Sequence, residues 1–158
     1  MTLKRASDVI TTGLHEAEKV CARHRVSLTK LRRAILEVLL ASEAPVKAYD
    51  LIELMRDKGK RLTPATVYRT LDFLLQYGLA HRINALNAYV PCTGHHNEHA
   101  LLLFVCSRCQ QAEELDDPVL YESMRSRLDE LGMTLHDNSI EIQGACKKCA
   151  QLLSYTGD

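Results

Sequence analysis

Four cysteines fall into two pairs of identical spacing, Cys106-Ser-Arg-Cys109 and Cys146-Lys-Lys-Cys149. A Cys-x-x-Cys pair brings two sulfurs to one side of a tight turn, and two such turns complete the tetrahedral sulfur cage of a closed structural zinc site. The gap between the pairs is longer than in a compact zinc ribbon, so the intervening helix and strand must return the chain to bring them together. Two disulfides, or reduced thiols without metal, are the alternatives. A cytosolic chain, whose thiols stay reduced, favours the cage.

A second set is scattered: His81, Cys92, His99 and Glu114, which offer two nitrogens, a sulfur and an oxygen. Each alone is an ordinary polar residue; together they could share one metal, and the thiolate favours zinc over iron or manganese. Two enzyme-like patterns compete for this stretch. His95-His96-Asn97-Glu98-His99 matches the H-x-x-E-H pattern of inverted zinc peptidases, but that pattern needs a helix, and this segment follows Thr93-Gly94 with no amphipathic period. His96-Asn97-Glu98 ahead of Cys106-x-x-Cys109 is part of a zinc deaminase pattern, yet Val105 stands where Pro is expected and the second Cys pair goes unused. His95, His96, His136 and Asp137 could form a third metal site or be solvated loop residues.

The elements that position these groups follow from charge and periodicity. The 158 residues carry 20 basic and 20 acidic side chains, but unevenly. Residues 1–91 hold 15 basic and 9 acidic groups, and residues 92–158 hold 5 and 11. The asymmetry predicts two modules, the first suited to a polyanion. In the basic half, Ile10, Leu14, Ala17 and Cys21 mark one face of a first helix. Thr29 caps a second, with Leu31, Ile35, Val38 and Leu39 buried and Lys30, Arg32 and Arg33 near its start. A third, Ala48 to Lys58, buries Leu51, Leu54 and Met55. The fourth is punctuated by Thr63 as N-cap, Pro64 at the first helical position and Gly78 past its end. Its core face is Val67, Leu71, Leu74 and Leu75, so Thr66, Tyr68 and Arg69 point away.

Two short strands around residues 84–87 then form a hairpin, which gives the order of a winged helix-turn-helix with the fourth helix as reader. Lys30, Arg32, Arg33, Lys58, Lys60 and Arg61 are phosphate-contact candidates beside it, or a solvated face. Pro91, Thr93 and Gly94 break the pattern where the charge changes sign. The fold expected is therefore α+β: an N-terminal winged helix-turn-helix domain over 1–91 and a small α/β dimerisation domain with a four-cysteine zinc site over 92–158.

The second module reads as strand Ala100 to Val105, strand Gln111 to Leu115, a helix from Pro118 to Leu131 and a strand from Thr134 to Gln143. Leu120, Met124, Leu128 and Leu131 make the helix stripe. At about 60 residues such a module needs a metal clip or a partner copy to fold. No apolar run approaches the roughly 18 residues of a membrane span, and the N-terminus lacks the apolar core of a signal peptide, so no membrane partner and a cytoplasmic location are expected.

Thr63-Pro64-Ala65-Thr66-Val67-Tyr68-Arg69-Thr70-Leu71, then His81, then the paired Cys-x-x-Cys elements resemble the ferric uptake regulator (Fur) family. Leu28-Thr29 and Ala48-Tyr49-Asp50-Leu51 add to the match, which covers about residues 7 to 150. Cys92, with Asn87-Ala88-Tyr89-Val90 before it, makes the chain most similar to the zinc uptake branch. The resemblance implies a homodimeric, zinc-dependent repressor of zinc-acquisition genes that binds AT-rich inverted repeats in double-stranded DNA. It also implies one structural zinc at Cys106, Cys109, Cys146 and Cys149 and one regulatory zinc at His81, Cys92, His99 and Glu114. Tyr68 and Arg69 would lie on the DNA-reading helix.

Overall fold

The computed structural model describes residues 3–92, 101–115, 117–134 and 139–154, which fall into two units, Met1–Gly94 and His95–Asp158. In the first unit the order is α1 (Leu3–Arg23), α2 (Lys30–Ala41), β1 (Val46–Lys47), α3 (Ala48–Asp57), α4 (Pro64–Gln76), β2 (Ala80–Ile83), a short 3-10 turn (Asn84–Leu86) and β3 (Ala88–Pro91). Local chemistry sets the helix ends. Thr29 Oγ1 accepts the Arg32 amide of α2 at 3.4 Å, and Thr63 Oγ1 accepts the Thr66 amide of α4 at 3.3 Å. Helix α4 stops where Gly78 takes a left-handed φ of 63°, which lets the Leu79 amide donate to the Leu74 carbonyl at 2.8 Å and the Gly78 amide to Leu75 at 3.1 Å.

The apolar stripes of the four helices meet in one core in which Ile35, Leu39, Leu51, Met55, Val67, Leu71 and Leu74 are fully buried. Leu54, expected inside, is 41% exposed; Ile52 of the same helix packs partly against the core instead. The strands form an antiparallel sheet in the order β1-β3-β2, with Arg82 opposite Tyr89 and His81 opposite Val90. Strand β1 has only two residues, and its pairing with Tyr89 and Ala88 makes the wing three-stranded.

The second unit holds β4 (Leu101–Cys106), β5 (Ala112–Glu114), α5 (Pro118–Glu130), β6 (Ser139–Gly144) and α6 (Lys147–Ser154). Its sheet runs β5-β4-β6, antiparallel between β4 and β5 and parallel between β4 and β6. Asp117 Oδ1 caps α5 by accepting the Leu120 amide at 2.9 Å. The apolar stripe of α5 and its C-cap is open in the single chain: Leu120 is 44% exposed and Leu131 54%, while Met124 and Leu128 are half-buried. No helix among the described residues is long and apolar enough to cross a membrane.

Candidate metal centre and nucleic-acid interface

Parallel pairing of β4 and β6 is what unites the two cysteine pairs. Cys106 closes β4 directly opposite Gly144, so the two strands deliver their following turns to the same end of the sheet. The first turn folds back with the Gln110 amide donating to the Cys106 carbonyl at 2.9 Å, and the Ser107 amide ties it to the Gly144 carbonyl at 2.9 Å. A Cβ at Gly144 would stand 3.1 Å from Phe104 ring atoms, so a larger residue there needs the ring to shift by a few tenths of an ångström. Cys146 follows β6, and Cys149 lies on α6, a helix that the spacing of the motif did not reveal.

The four sulfurs lie within 4.8 Å of one another, and none is in a disulfide. Cys109 Sγ and Cys146 Sγ are 3.8 Å apart, the edge expected of a tetrahedron with metal–sulfur bonds of about 2.3 Å. Cys106 and Cys149 are buried, Cys146 is half-buried and Cys109 is exposed. Cys106 Sγ accepts the Cys146 amide at 3.3 Å. Backbone N–H donation, foremost from Cys109 and then from Cys146 and Arg108, holds the Cys106 thiol down to about 6 against the opposing effect of burial. Cys149, beside the Cys146 sulfur and desolvated, is pushed up to about 12. Four soft donors at tetrahedral spacing, one already inclined to the thiolate, fit a closed zinc site in which the metal replaces the remaining thiol protons.

Of the second set, His81 and Cys92 lie on the wing. His81 is opposite Val90 on the hairpin, and the Cys92 amide extends the ladder by donating to the Leu79 carbonyl at 3.1 Å. Residues 79 and 81 share a face of the strand, and Cys92 stands opposite 79. His81 and Cys92 are therefore diagonal neighbours across the end of the hairpin; the group of potential metal ligands that the described residues bring together is the four-cysteine one. The imidazole Nε2 is buried. Glu114 ends β5 in the second unit, opposite Leu103. His99 lies outside the described residues, as do His95, His96, Glu98, His136 and Asp137.

The nucleic-acid candidates divide by what already holds them. Tyr68 is 39% exposed, and Arg69 is exposed with its Nε donating to the Ala65 carbonyl at 3.3 Å, so both stand on the outer face of α4 near its N-terminus. Lys30 and Arg61 are exposed. Thr66 is engaged: its hydroxyl lies 2.9 Å from that of Thr63 within the cap. Arg32 departs most from a free cation. Its guanidinium lies 3.5 Å from the Phe73 ring centroid and donates to the Ser27 carbonyl at 2.6 Å, which ties α2 to α4. Arg33, beside it, is paired with Glu18 of α1 and with Glu37. Phe73 is 41 positions from Arg32, so no sequence pattern links the two.

The model of the ferric uptake regulator family matches residues 23–143. The zinc uptake regulation protein of Escherichia coli K12 is 34% identical over 140 residues, covering 88% of this chain and 82% of that one. The ferric uptake regulation protein of Vibrio parahaemolyticus is 29% identical over 126 residues, covering 77% and 80%. Among solved structures, a zinc uptake regulator complexed with zinc and DNA superposes with a TM-score of 0.81 at 33% identity, covering 92% of this chain and 98% of the other. Holo XcZur gives 0.74 at 33% identity, with 92% and 99% covered.

Proposed function

The chain belongs to the ferric uptake regulator family, and from that premise we propose that it is a zinc-responsive, DNA-binding transcriptional regulator that represses zinc-uptake genes when loaded with zinc. The observation that carries the reading is the wing hairpin: His81 and Cys92 occupy one face of it, directly after the capped helix that bears Tyr68 and Arg69. Greater identity to a zinc than to an iron regulator, 34% against 29%, favours zinc as the signal. So does the thiolate donor, a soft ligand that suits zinc better than manganese.

In this reading residues 1–91 bind DNA and residues 92–158 dimerise, with one structural zinc in the Cys106, Cys109, Cys146 and Cys149 cage. A regulatory zinc is held by His81, Cys92, His99 and Glu114. The exposed Leu120 of α5 and Leu131 at its C-cap, and the edge strand β6, whose Ile142 is 36% exposed, supply a surface for a second copy. A dimer must present two reader helices to successive major grooves at a fixed spacing, so a loose connection between halves spends binding energy on ordering. A hundredfold gain in DNA affinity needs only about 2.7 kcal/mol, well within the binding free energy of a zinc site. Tyr68 and Arg69 then reach base edges, and Lys30 and Arg61 reach phosphates, of an AT-rich inverted repeat in the cytoplasm. A third zinc site at His95, His96 and His136 is not part of the proposal, and no catalytic step is assigned to His95, Glu98 and His99.

The test is Cys92→Ser in a zinc titration of DNA binding followed by fluorescence anisotropy. The variant is expected to stay folded and dimeric while its affinity no longer rises with zinc. A variant that answers zinc like the parent protein would remove Cys92 from the regulatory site.

A further inference from the structure

The wing carries a cation that neither the metal sites nor the reader helix uses. Arg82 on β2 is exposed and stands opposite Tyr89. Its Nη2 donates to Asn87 Oδ1 at 2.9 Å. Asn87 closes the 3-10 turn at φ 48° and ψ 45°, the left-handed region that a short amide side chain tolerates better than most. One residue thus takes the demanding backbone of the turn and fixes the arginine. A guanidinium has five N–H donors in a planar fork, so the bond to Asn87 leaves others for an outside acceptor.

The location suits nucleic acid. The buried Tyr89 phenol, its pKa raised first by desolvation, is within electrostatic range of Arg82 on the wing and of Tyr68 and Asp72 on α4. Arg82 pairs across the wing with Tyr89, and the exposed Tyr68 of α4 lies within electrostatic range of that same side chain, so the cation sits on the wing in the neighbourhood of the reader helix. Alternation along β2 puts Arg82 on the opposite face of the hairpin from His81, so a metal on that face leaves the guanidinium accessible.

We propose that Arg82 binds a DNA phosphate beside the groove entered by α4, with Asn87 as the residue that positions it. The proposal rests on the DNA-binding reading above. A phosphate contact adds affinity on any sequence and releases counterions, whereas a base contact acts on the operator alone.

The experiment uses the zinc-loaded full chain and measures anisotropy on an operator fragment selected by the parent protein and on an unrelated duplex of equal length, between 50 and 200 mM salt. Arg82→Gln is expected to bind both duplexes about three- to tenfold more weakly, with a salt slope shallower by about 1. Asn87→Gly keeps the left-handed turn and removes the amide oxygen; it is expected to give a smaller loss on both duplexes. Unchanged zinc content and thermal transition would certify both variants as folded. Equal affinity and slope for Arg82→Gln and the parent would overturn the proposal, as would a loss confined to the operator. A parent protein that binds neither duplex would overturn the regulator reading itself, and this proposal with it.

Discussion

Stripping zinc from the 158-residue chain should unfold one half of it and leave the other. Of the buried apolar residues described, 22 belong to the first unit and five to the second: Leu102, Leu103, Val105, Cys106 and Cys149. Two of those five are sulfurs of the cage. Burying Leu102, Leu103 and Val105 contributes about 1.5–3 kcal/mol each, so about 5–9 kcal/mol together. A structural zinc contributes about 10–16 kcal/mol at neutral pH. The metal therefore outweighs the apolar core it closes. Even a loss of about 5 kcal/mol from a domain of this size lowers its Tm by roughly 20–40 °C. The assay is calorimetry with parallel circular dichroism on protein treated with a strong chelator and a thiol reductant, with metal content verified. The first unit, whose core contains none of the cage residues, should melt within a few degrees of its original temperature. The second should melt far below it or show no transition. Zinc-free protein with an unaltered melting profile would refute the argument that the cage holds this unit together.

Other consequences are local. Thr63→Ala removes the cap of α4 and should cost about 1 kcal/mol in chemical denaturation, with Thr63→Ser restoring most of it. Leu71→Ala, at a site with 0% exposure, should cost about 2–5 kcal/mol by the same measurement. Glutamate at both Leu120 and Leu131 should shift sedimentation towards monomer without loss of zinc from the cage, because these side chains are exposed on α5 and at its C-cap. Arg69→Ala should weaken operator binding by about 1–3 kcal/mol if its guanidinium reads a base edge, measured as a Kd ratio.

What could be read from the sequence was whatever has a local cause. Thr63, Pro64 and Gly78 bound α4 because capping, proline geometry and a left-handed turn each act within a few residues. The same holds for Thr29 on α2 and for the residues that pair across the wing. Two elements escaped. Strand β1 has two residues, too few for alternation, and exists through its partner β3. Helix α6 begins inside the second cysteine turn, where the metal motif masked a helical start. The stripe on α5 was correctly periodic, but periodicity reports an apolar face and not what covers it. The cage was legible in its ligands but not in its construction, which depends on β4 and β6 running parallel across a separation of 38 positions between Cys106 and Gly144. Arg32 was a phosphate candidate by its charge and its place beside the capped reader helix; its stacking on Phe73 is a tertiary contact that neither reveals.

The central claim is that zinc makes this chain bind specific DNA. The most direct measurement is selection of genomic fragments by the purified protein at buffered free zinc, alongside chelated, iron-loaded and manganese-loaded samples. Enrichment of an AT-rich inverted repeat with zinc alone is the expected result. Enrichment that needs iron or manganese instead, or that persists unchanged when zinc is chelated, would contradict it.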